Sequence, residues 1–147
     1  MKSKNVYALP VNEKDIKGIK TDSPAHTGGL KYCIDYKLDI GTPIYAALAG
    51  KVIMVKNDSN KGGPDEKYSL MGNHVAILHK NREVSYYEHF KKGGVIVKLE
   101  QQVKTGQIIG YSGNTGWSYA PHLHFGVFKK RKTPDEPPHS LKIVYED

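Results

Sequence analysis

Short segments in which apolar and polar residues alternate recur along this chain, and turn-forming residues separate them. Alternation with a period of two is typical of β-strands with one buried face. The chain has 15 glycines, 8 prolines and 10 tyrosines among 147 residues, a composition that favours short strands and turns over long helices. The pattern predicts strands at residues 32–36, 44–47, 50–56, 74–79, 83–89, 95–98, 107–111, 123–129 and 141–145.

These strands predict a mainly β fold, an antiparallel sandwich or split barrel. Weak helical patterns are confined to the first twenty residues. Residues 57–66 are polar and contain Gly and Pro, so we expect an exposed loop there that forms one wall of a groove. A chain of 147 residues is expected to form a single domain, residues 1–147, with a sizeable core.

The charge balance points to anionic partners. The formal net charge is +7, and such a field attracts polyanions, among them nucleic acids and anionic cell-wall polymers. Residues 129–140 form a basic, Pro-rich segment near the C-terminus, which we expect to be solvated. No nucleic-acid motif is present and no aromatic residues interleave the basic run, so we expect no nucleic-acid partner.

Three further features limit the class of protein. No apolar run is long enough for a membrane span, and the apolar stretch at residues 6–11 is too short for a secretory signal. Localisation is therefore left open. The single cysteine, Cys33, excludes an intramolecular disulfide, so a metal site in this chain would depend on His and Asp.

The triplet His122-Leu123-His124 follows a Gly-containing turn and a proline. On a strand, alternate side chains share one face, so the two imidazoles stand about 7 Å apart on the same side. Imidazole is the commonest metal ligand and a common general base. The pair can supply two ligands or one ligand and one base, and the spacing alone does not decide which histidine binds a metal.

Two residues upstream could complete a metal site. His26 lies in a turn-rich loop at residues 23–29, and Asp35 lies in the predicted strand at 32–36. An interior Asp needs a partner, because an unpaired buried carboxylate is costly. A metal ion would supply that partner, and an ion pair with a lysine is the alternative.

The remaining histidines differ in context. His89 follows an aromatic run and is predicted to be partly buried. His79 could line the same cleft as the other histidines or simply end a strand. His74 and His139 are predicted to be exposed, with no functional role.

The donor set suits zinc. Zinc in hydrolases typically takes three N or O ligands and leaves one position open for water. Two histidines and one carboxylate meet that requirement. The His-Glu-x-x-His pattern of helical zinc peptidases is absent from the sequence.

Taken in order, these segments resemble peptidase family M23, the lysostaphin and LytM type of zinc metallopeptidase that cleaves peptidoglycan. The resemblance runs from about residue 7 to residue 145. Beside His26, it is carried by residues 32–36, 41–52, 73–79, 87–90, 103–110, 112–116 and 121–125.

The resemblance implies a LytM-like antiparallel sheet crossed by a groove, of the barrel-sandwich hybrid type. It also implies site roles that spacing could not assign. The metal ligands would be His26, Asp35 and His124, holding Zn²⁺. His89 and His122 would be catalytic histidines that do not bind the metal, one of them the general base.

One departure concerns the first two ligands. Many members place the Asp four residues after the first His, whereas eight residues separate His26 from Asp35. Members with a longer insertion occur, so Asp35 is retained, with Asp39 as the fallback. Cys33 shares the predicted face of Asp35, where it would pack or act as an extra soft ligand.

The implied function is zinc-dependent hydrolysis of peptide bonds in peptidoglycan cross-links or stem peptides by a monomer. Loops at residues 26–31 and 57–73 would form the groove walls, and Trp117 and Tyr119 would line the cleft or pack within their own loop. The main alternative is a catalytically inactive M23-like domain that binds cell wall or activates another hydrolase.

Two other classes are less compatible with the sequence. A biotinyl or lipoyl carrier domain would share the sheet pattern, but no lysine stands in the context that is modified in such domains. A basic nucleic-acid-binding β domain would have no zinc requirement and steep salt dependence of binding.

Overall fold

The computed structural model describes residues 1–22 and 26–147. The described residues contain thirteen strands and four 3-10 helices of three residues each. The strands are β1 (Lys2–Tyr7), β2 (Gly18–Lys20), β3 (Ile34–Lys37), β4 (Pro43–Tyr45), β5 (Gly50–Lys56), β6 (Gly62–Gly63), β7 (Asn73–Leu78), β8 (Glu83–Val95), β9 (Gln102–Val103), β10 (Ile108–Ser112), β11 (Gly116–Trp117), β12 (His122–Lys129) and β13 (Lys142–Tyr145). The 3-10 helices span Glu13–Asp15, Gly28–Leu30, Glu66–Tyr68 and Lys80–Arg82.

Nine of the strands form one open sheet. Its order is β2-β3-β12-β8-β7-β5-β9, and β10 joins β8 to β4. Neighbouring strands in this sheet are antiparallel. The predicted mainly β, antiparallel fold is therefore confirmed.

The alternation of side chains divides the central strands into two faces. Leu123 pairs with Tyr36, and Phe125 pairs with Tyr87, all buried on the core face. His124, one residue along, pairs with Asp35 on one side and with Glu88 on the other. Because cross-strand partners share a face, the face opposite the core carries Asp35, Glu88 and His124.

The weak helical patterns in the first twenty residues correspond to a single 3-10 turn, Glu13–Asp15. Strands β1 and β2 occupy nine of those twenty residues. Strand β1 pairs in parallel with β13 near the other end of the chain, a partnership that a local pattern does not report. Of the predicted strand at residues 95–98, Val95 alone is in a strand, as the last residue of β8.

Two predicted loops are joined to each other. Strand β6, within residues 57–73, pairs in parallel with β11. The indole Nε1 of Trp117 donates a hydrogen bond to the Pro64 carbonyl at 3.1 Å. Trp117 is half-buried and Tyr119 is exposed. No helix in the described residues is long and apolar enough to cross a membrane.

Candidate metal centre

Strands β3 and β12 and the loop before Gly28 bring three predicted ligands together. His26 Nε2 lies 3.0 Å from Asp35 Oδ1 and 3.3 Å from His124 Nδ1. His124 Nδ1 lies 3.1 Å from Asp35 Oδ1. All three side chains are buried, and they form a candidate metal-binding group. The rest of the loop predicted to carry His26, residues 23–25, lies outside the described residues.

Hydrogen bonds cannot account for this triangle of atoms. The two ring nitrogens carry at most two hydrogens and an ionised carboxylate carries none, so two-centre hydrogen bonds leave at least one of the three contacts unfavourable. A central cation would attract all three lone pairs. Zinc lies about 2.0–2.1 Å from N and O ligands, which places tetrahedral ligand atoms roughly 3.3 Å apart. The residues therefore fit a zinc ion.

The electrostatics of the cluster favour a positive charge. Burial alone would raise the pKa of Asp35, but hydrogen bonds from His124 and His26 outweigh it and hold that pKa below its ordinary value. Burial would also lower the pKa of His124, yet the contacts with Asp35 and Cys33 raise it to about 10. In the absence of metal, the cluster therefore keeps a proton where a metal ion would be held.

His122 lies beside the cluster and is held by the backbone. Its Nδ1 donates to the Ala120 carbonyl at 2.7 Å, and its Nε2 lies 3.6 Å from Asp35 Oδ1. Burial lowers the pKa of His122 despite the attraction of Asp35. The ring is therefore neutral near pH 7, with Nε2 as the acceptor nitrogen facing the cluster.

His89 reaches the same face through a β-bulge. Asn73 pairs with Phe90 and His74 pairs with Glu88, so His89 is an extra residue in β8 without a partner in β7. Its φ of 84° is in the left-handed region, where non-glycine residues are uncommon. Strict alternation would turn His89 toward the core, and the bulge instead places it beside Glu88 on the site face.

His89 and His122 form a pair of neutral imidazoles. Their ring centroids are 4.4 Å apart. His89 Nδ1 donates to the Thr115 carbonyl, which leaves Nε2 as the acceptor, as in His122. Burial, with the nearby His122 and His124, lowers the pKa of His89 well below its ordinary value.

Two other candidates lie away from the cluster. Asp39 is 74% exposed in its side chain and forms an ion pair with Lys17 at 2.9 Å, so its position does not suit the fallback role. His79 is buried between the Ala49 carbonyl and Ser85 Oγ, at 2.8 Å from each. It belongs to a hydrogen-bond network on the core side rather than to the cleft.

Cys33 is fully buried beside a metal-ligand candidate. A Cβ on Gly126 would lie 2.6 Å from Cys33 Sγ, so the sulfur occupies space that the glycine leaves open. The thiol contacts His124 and is not part of the three-residue group. Packing against His124 is therefore the role that the contacts support.

Sequence reasoning missed Glu88 and misplaced His74. Glu88 pairs with His124 on the site face, and its Oε1 accepts a hydrogen bond from the Tyr86 hydroxyl at 2.7 Å. Burial raises the pKa of Glu88, and the nearby His124 and Tyr86 hydroxyl offset only part of this effect. The register between β8 and β12 places Glu88 on the site face, and this register cannot be read from the sequence.

His74, predicted to be exposed, is half-buried, and its ring centroid lies 5.4 Å from that of Tyr86.

The sequence profile of peptidase family M23 matches residues 29–136. The chain belongs to this family. The matched region contains Asp35, His89, His122 and His124, whereas His26 lies just before it. The family assignment confirms the resemblance drawn from the sequence.

Similar proteins include lysostaphin and a peptidoglycan endopeptidase. Lysostaphin from Staphylococcus simulans is 40% identical over 99 residues, which is 67% of this chain and 18% of lysostaphin. The peptidoglycan DD-endopeptidase ShyA from Vibrio cholerae is 40% identical over 91 residues, 62% of this chain and 18% of ShyA. The chain therefore matches under a fifth of the length of these relatives.

A solved structure agrees with the fold. A zinc-containing peptidase from Vibrio cholerae superposes with a TM-score of 0.65 at 26% identity, covering 95% of this chain and 40% of that one. The similarity therefore extends beyond residues 29–136, the region matched by the family profile.

Proposed function

We propose that this chain is a zinc-dependent endopeptidase that hydrolyses peptide bonds in peptidoglycan cross-links or stem peptides. The observation that carries the proposal is the triangle of His26 Nε2, Asp35 Oδ1 and His124 Nδ1, with sides of 3.0–3.3 Å. These three residues would hold the zinc. His89 and His122, both neutral, are the acid–base groups beside it.

The substrate proposal draws on the relatives. ShyA is a peptidoglycan DD-endopeptidase, and another relative is a glycyl-glycine endopeptidase from Staphylococcus capitis. Both names describe hydrolysis of a peptide bond. The net charge of +7 would favour residence on anionic cell-wall polymers.

A bound zinc would supply Lewis-acid polarisation of the scissile carbonyl and a lowered pKa of water. The chain's own residues would move the protons. The Nε2 atom of His122 or His89 accepts a proton from the attacking water, because both rings are neutral. The same proton then passes from that Nε2 to the nitrogen of the leaving amine, so one histidine acts first as base and then as acid.

The backbone contacts of the two histidines give them fixed roles. Each ring donates Nδ1–H to a carbonyl, that of Thr115 for His89 and that of Ala120 for His122. These hydrogen bonds select the tautomer with Nε2 free and hold the ring orientation. Both histidines therefore enter the reaction with the same nitrogen facing the cleft.

We also propose that residues 1–147 form one domain. Strands β1 and β13 lie outside the residues matched by the family profile. Strand β1 is nevertheless tied to the main sheet, because the backbone N–H groups of Lys4 and Asn5 donate to the Glu83 carboxylate in β8.

The first test is the zinc content of the purified chain after dialysis against a weak chelator. About one zinc per chain would support the site, and digestion of purified peptidoglycan that stops with a strong chelator would support the activity. The variant His124→Ala should lose zinc and activity, whereas His122→Ala should keep zinc and lose activity.

The results that would contradict the proposal distinguish a missing metal site from a missing activity. No zinc after its addition would contradict the metal site. A full complement of zinc without hydrolysis of any peptidoglycan would instead favour a non-catalytic domain that binds wall or activates another hydrolase.

A further inference from the structure

We propose that Glu88 binds a primary ammonium group of the peptide substrate, close to the bond that is cleaved. The proposal rests on the proposed peptidase function and names a feature that its substrate carries. It is based on the position of one carboxylate, the partners of its two oxygens and the two glycines against which it lies.

The position of Glu88 places it in the cleft. Its cross-strand partner in β12 is His124, one of the candidate metal ligands, and the next residue in β8 is His89. Because cross-strand pairs have Cβ atoms about 4.5–5.5 Å apart on one face, a group bound by Glu88 would lie within one or two peptide units of the metal site.

The two oxygens of Glu88 have different partners. Oε1 accepts the hydrogen bond from the Tyr86 hydroxyl at 2.7 Å, whereas no described residue donates a hydrogen bond to Oε2. The nearest histidine nitrogen, His89 Nδ1, is 3.9 Å from Oε2 and donates to Thr115 instead. The side chain retains 16% exposure, so a ligand in the cleft can reach it.

Two glycines shape the space around Oε2. A Cβ on Gly72 would lie 2.2 Å from this oxygen, and a Cβ on Gly116 would lie 3.2 Å from it. Gly72 precedes β7 and Gly116 begins β11, so the two joined loops meet over the carboxylate. A larger residue at Gly72 would displace it, and the backbone therefore forms a cradle for this side chain.

The chemistry of the cradle selects the ligand. A largely buried carboxylate with one neutral hydrogen-bond donor lacks the charged partner that such groups require. A bound Zn²⁺ with the Asp35 carboxylate and two neutral histidines would keep a net charge of +1, which attracts Glu88 through space but donates no hydrogen bond to Oε2. A primary ammonium offers three N–H donors and a compact positive charge. It would donate to Oε2 the hydrogen bond that this oxygen lacks. Peptides supply this group as a terminal amine or a lysine-type side chain.

Binding of two pairs of peptides tests the proposal and separates these sources. The first pair is pentaglycine with a free or an acetylated amino terminus. The second is an N-acetylated stem peptide whose lysine side chain is free or acetylated. Calorimetry on the zinc-treated His122→Ala chain, a variant expected not to cleave, should show at least about tenfold tighter binding of the free amine in one pair, equivalent to roughly 1.4 kcal/mol.

Glu88→Gln in the same background should remove that preference, because it keeps the shape and loses the charge. Glu100→Gln, which changes a side chain that is 76% exposed, is the matched control and should keep it. Tyr86→Phe should also keep the preference, since it leaves the charge in place. Each comparison uses two peptides on one protein, so a change in folding does not imitate the result.

Equal binding of both members of both pairs would overturn the proposal. So would a preference that survives Glu88→Gln, or failure of all four peptides to bind. Cleavage of the same peptides by the unmodified chain is measured separately. A chain that prefers the amine but cleaves nothing would therefore contradict the peptidase function and not the role of Glu88.

Discussion

Asp35 and Glu83 are both buried carboxylates, and their surroundings differ in one respect. Glu83 accepts hydrogen bonds from the backbone N–H of Lys4 and Asn5 and from the Tyr7 hydroxyl, at 2.6–3.2 Å. Each of these three donors carries a hydrogen that it can direct at the Glu83 carboxylate. Asp35 is surrounded by His26, His122 and His124, whose ring nitrogens cannot all donate toward the space that they share.

The histidines of the two regions differ in the same way. His79, on the core side, has partners for both ring nitrogens, and Ser85 continues the network to the Tyr87 hydroxyl at 2.8 Å. His122 has a backbone partner for Nδ1 and leaves Nε2 toward the cluster. A buried polar group whose donors and acceptors are all hydrogen-bonded stabilises the fold. A cluster with more acceptor atoms than hydrogens to share among them is instead suited to bind a cation.

The largest effect is expected from Asp35→Asn, which removes the negative charge of the cluster. Zinc affinity should fall by more than about 100-fold, because changes to residues behind the ligands already cost roughly 10–100-fold. Peptidoglycan hydrolysis should be lost with it. Zinc content by elemental analysis checks the prediction, and an unchanged content would show that Asp35 is not a ligand.

Glu83→Gln should affect stability and leave zinc binding intact. The amide nitrogen would face backbone N–H donors, so at least one buried donor would lose its acceptor, at a cost of about 2 kcal/mol. For a chain of this length that corresponds to a fall in Tm of roughly 4–8 °C. Thermal unfolding measures it, with Glu100→Gln as an exposed control. Loss of zinc at unchanged Tm would contradict the assignment of Glu83 to fold stability and of the Asp35 cluster to metal binding.

Stability should decline at both ends of the pH range, at the alkaline end through His124 of the site and at the acid end through the buried neutral histidines of both regions, His79, His89 and His122. His124 has a raised pKa of about 10 in the metal-free chain, so its contribution is complete below the unfolded pKa of about 6.5 and is lost as pH rises toward 10. Burial lowers the pKa of His79, so its contribution is present above about pH 6.5 and is lost as pH falls.

Tm measured from pH 5 to 10 on chelator-treated chain should therefore decline on both sides. Zinc loading should remove the alkaline decline, because the metal replaces the proton on His124. The variant Asp35→Asn should also reduce it. A metal-free chain whose Tm does not change between pH 7 and 10 would show that the proton in the cluster contributes little.

The smallest effect is expected from Asp39→Asn. This side chain is 74% exposed and pairs with Lys17, and such surface pairs contribute at most about 1 kcal/mol. Zinc content, activity and Tm should all stay close to those of the unmodified chain. A loss of zinc in this variant would return Asp39 to the ligand set in place of Asp35.

The fold could be predicted from the sequence where the pattern was local. Alternation and turn residues located most strands of the main sheet, and His122 and His124 were correctly placed on one face. The parallel pairing of β1 with β13 joins the two ends of the chain and has no local signal. The position of Glu88 depends on the register of two strands, which periodicity does not determine.

The site shows the same limit. The family resemblance singled out five residues that the structure brings together, although their zinc-binding and catalytic roles stay predictions. The backbone conformation of His89 could not be predicted, because a bulge interrupts the period of two on which the strand prediction depends.

The bulge at His89 implies a trade-off between stability and activity. A non-glycine residue in the left-handed region costs roughly 1–2 kcal/mol relative to glycine, and here that residue bears the imidazole that faces the cleft. A glycine at this position would relax the backbone and remove the imidazole. Replacement of His89 by glycine is therefore expected to make the fold more stable while it removes the imidazole from the cleft.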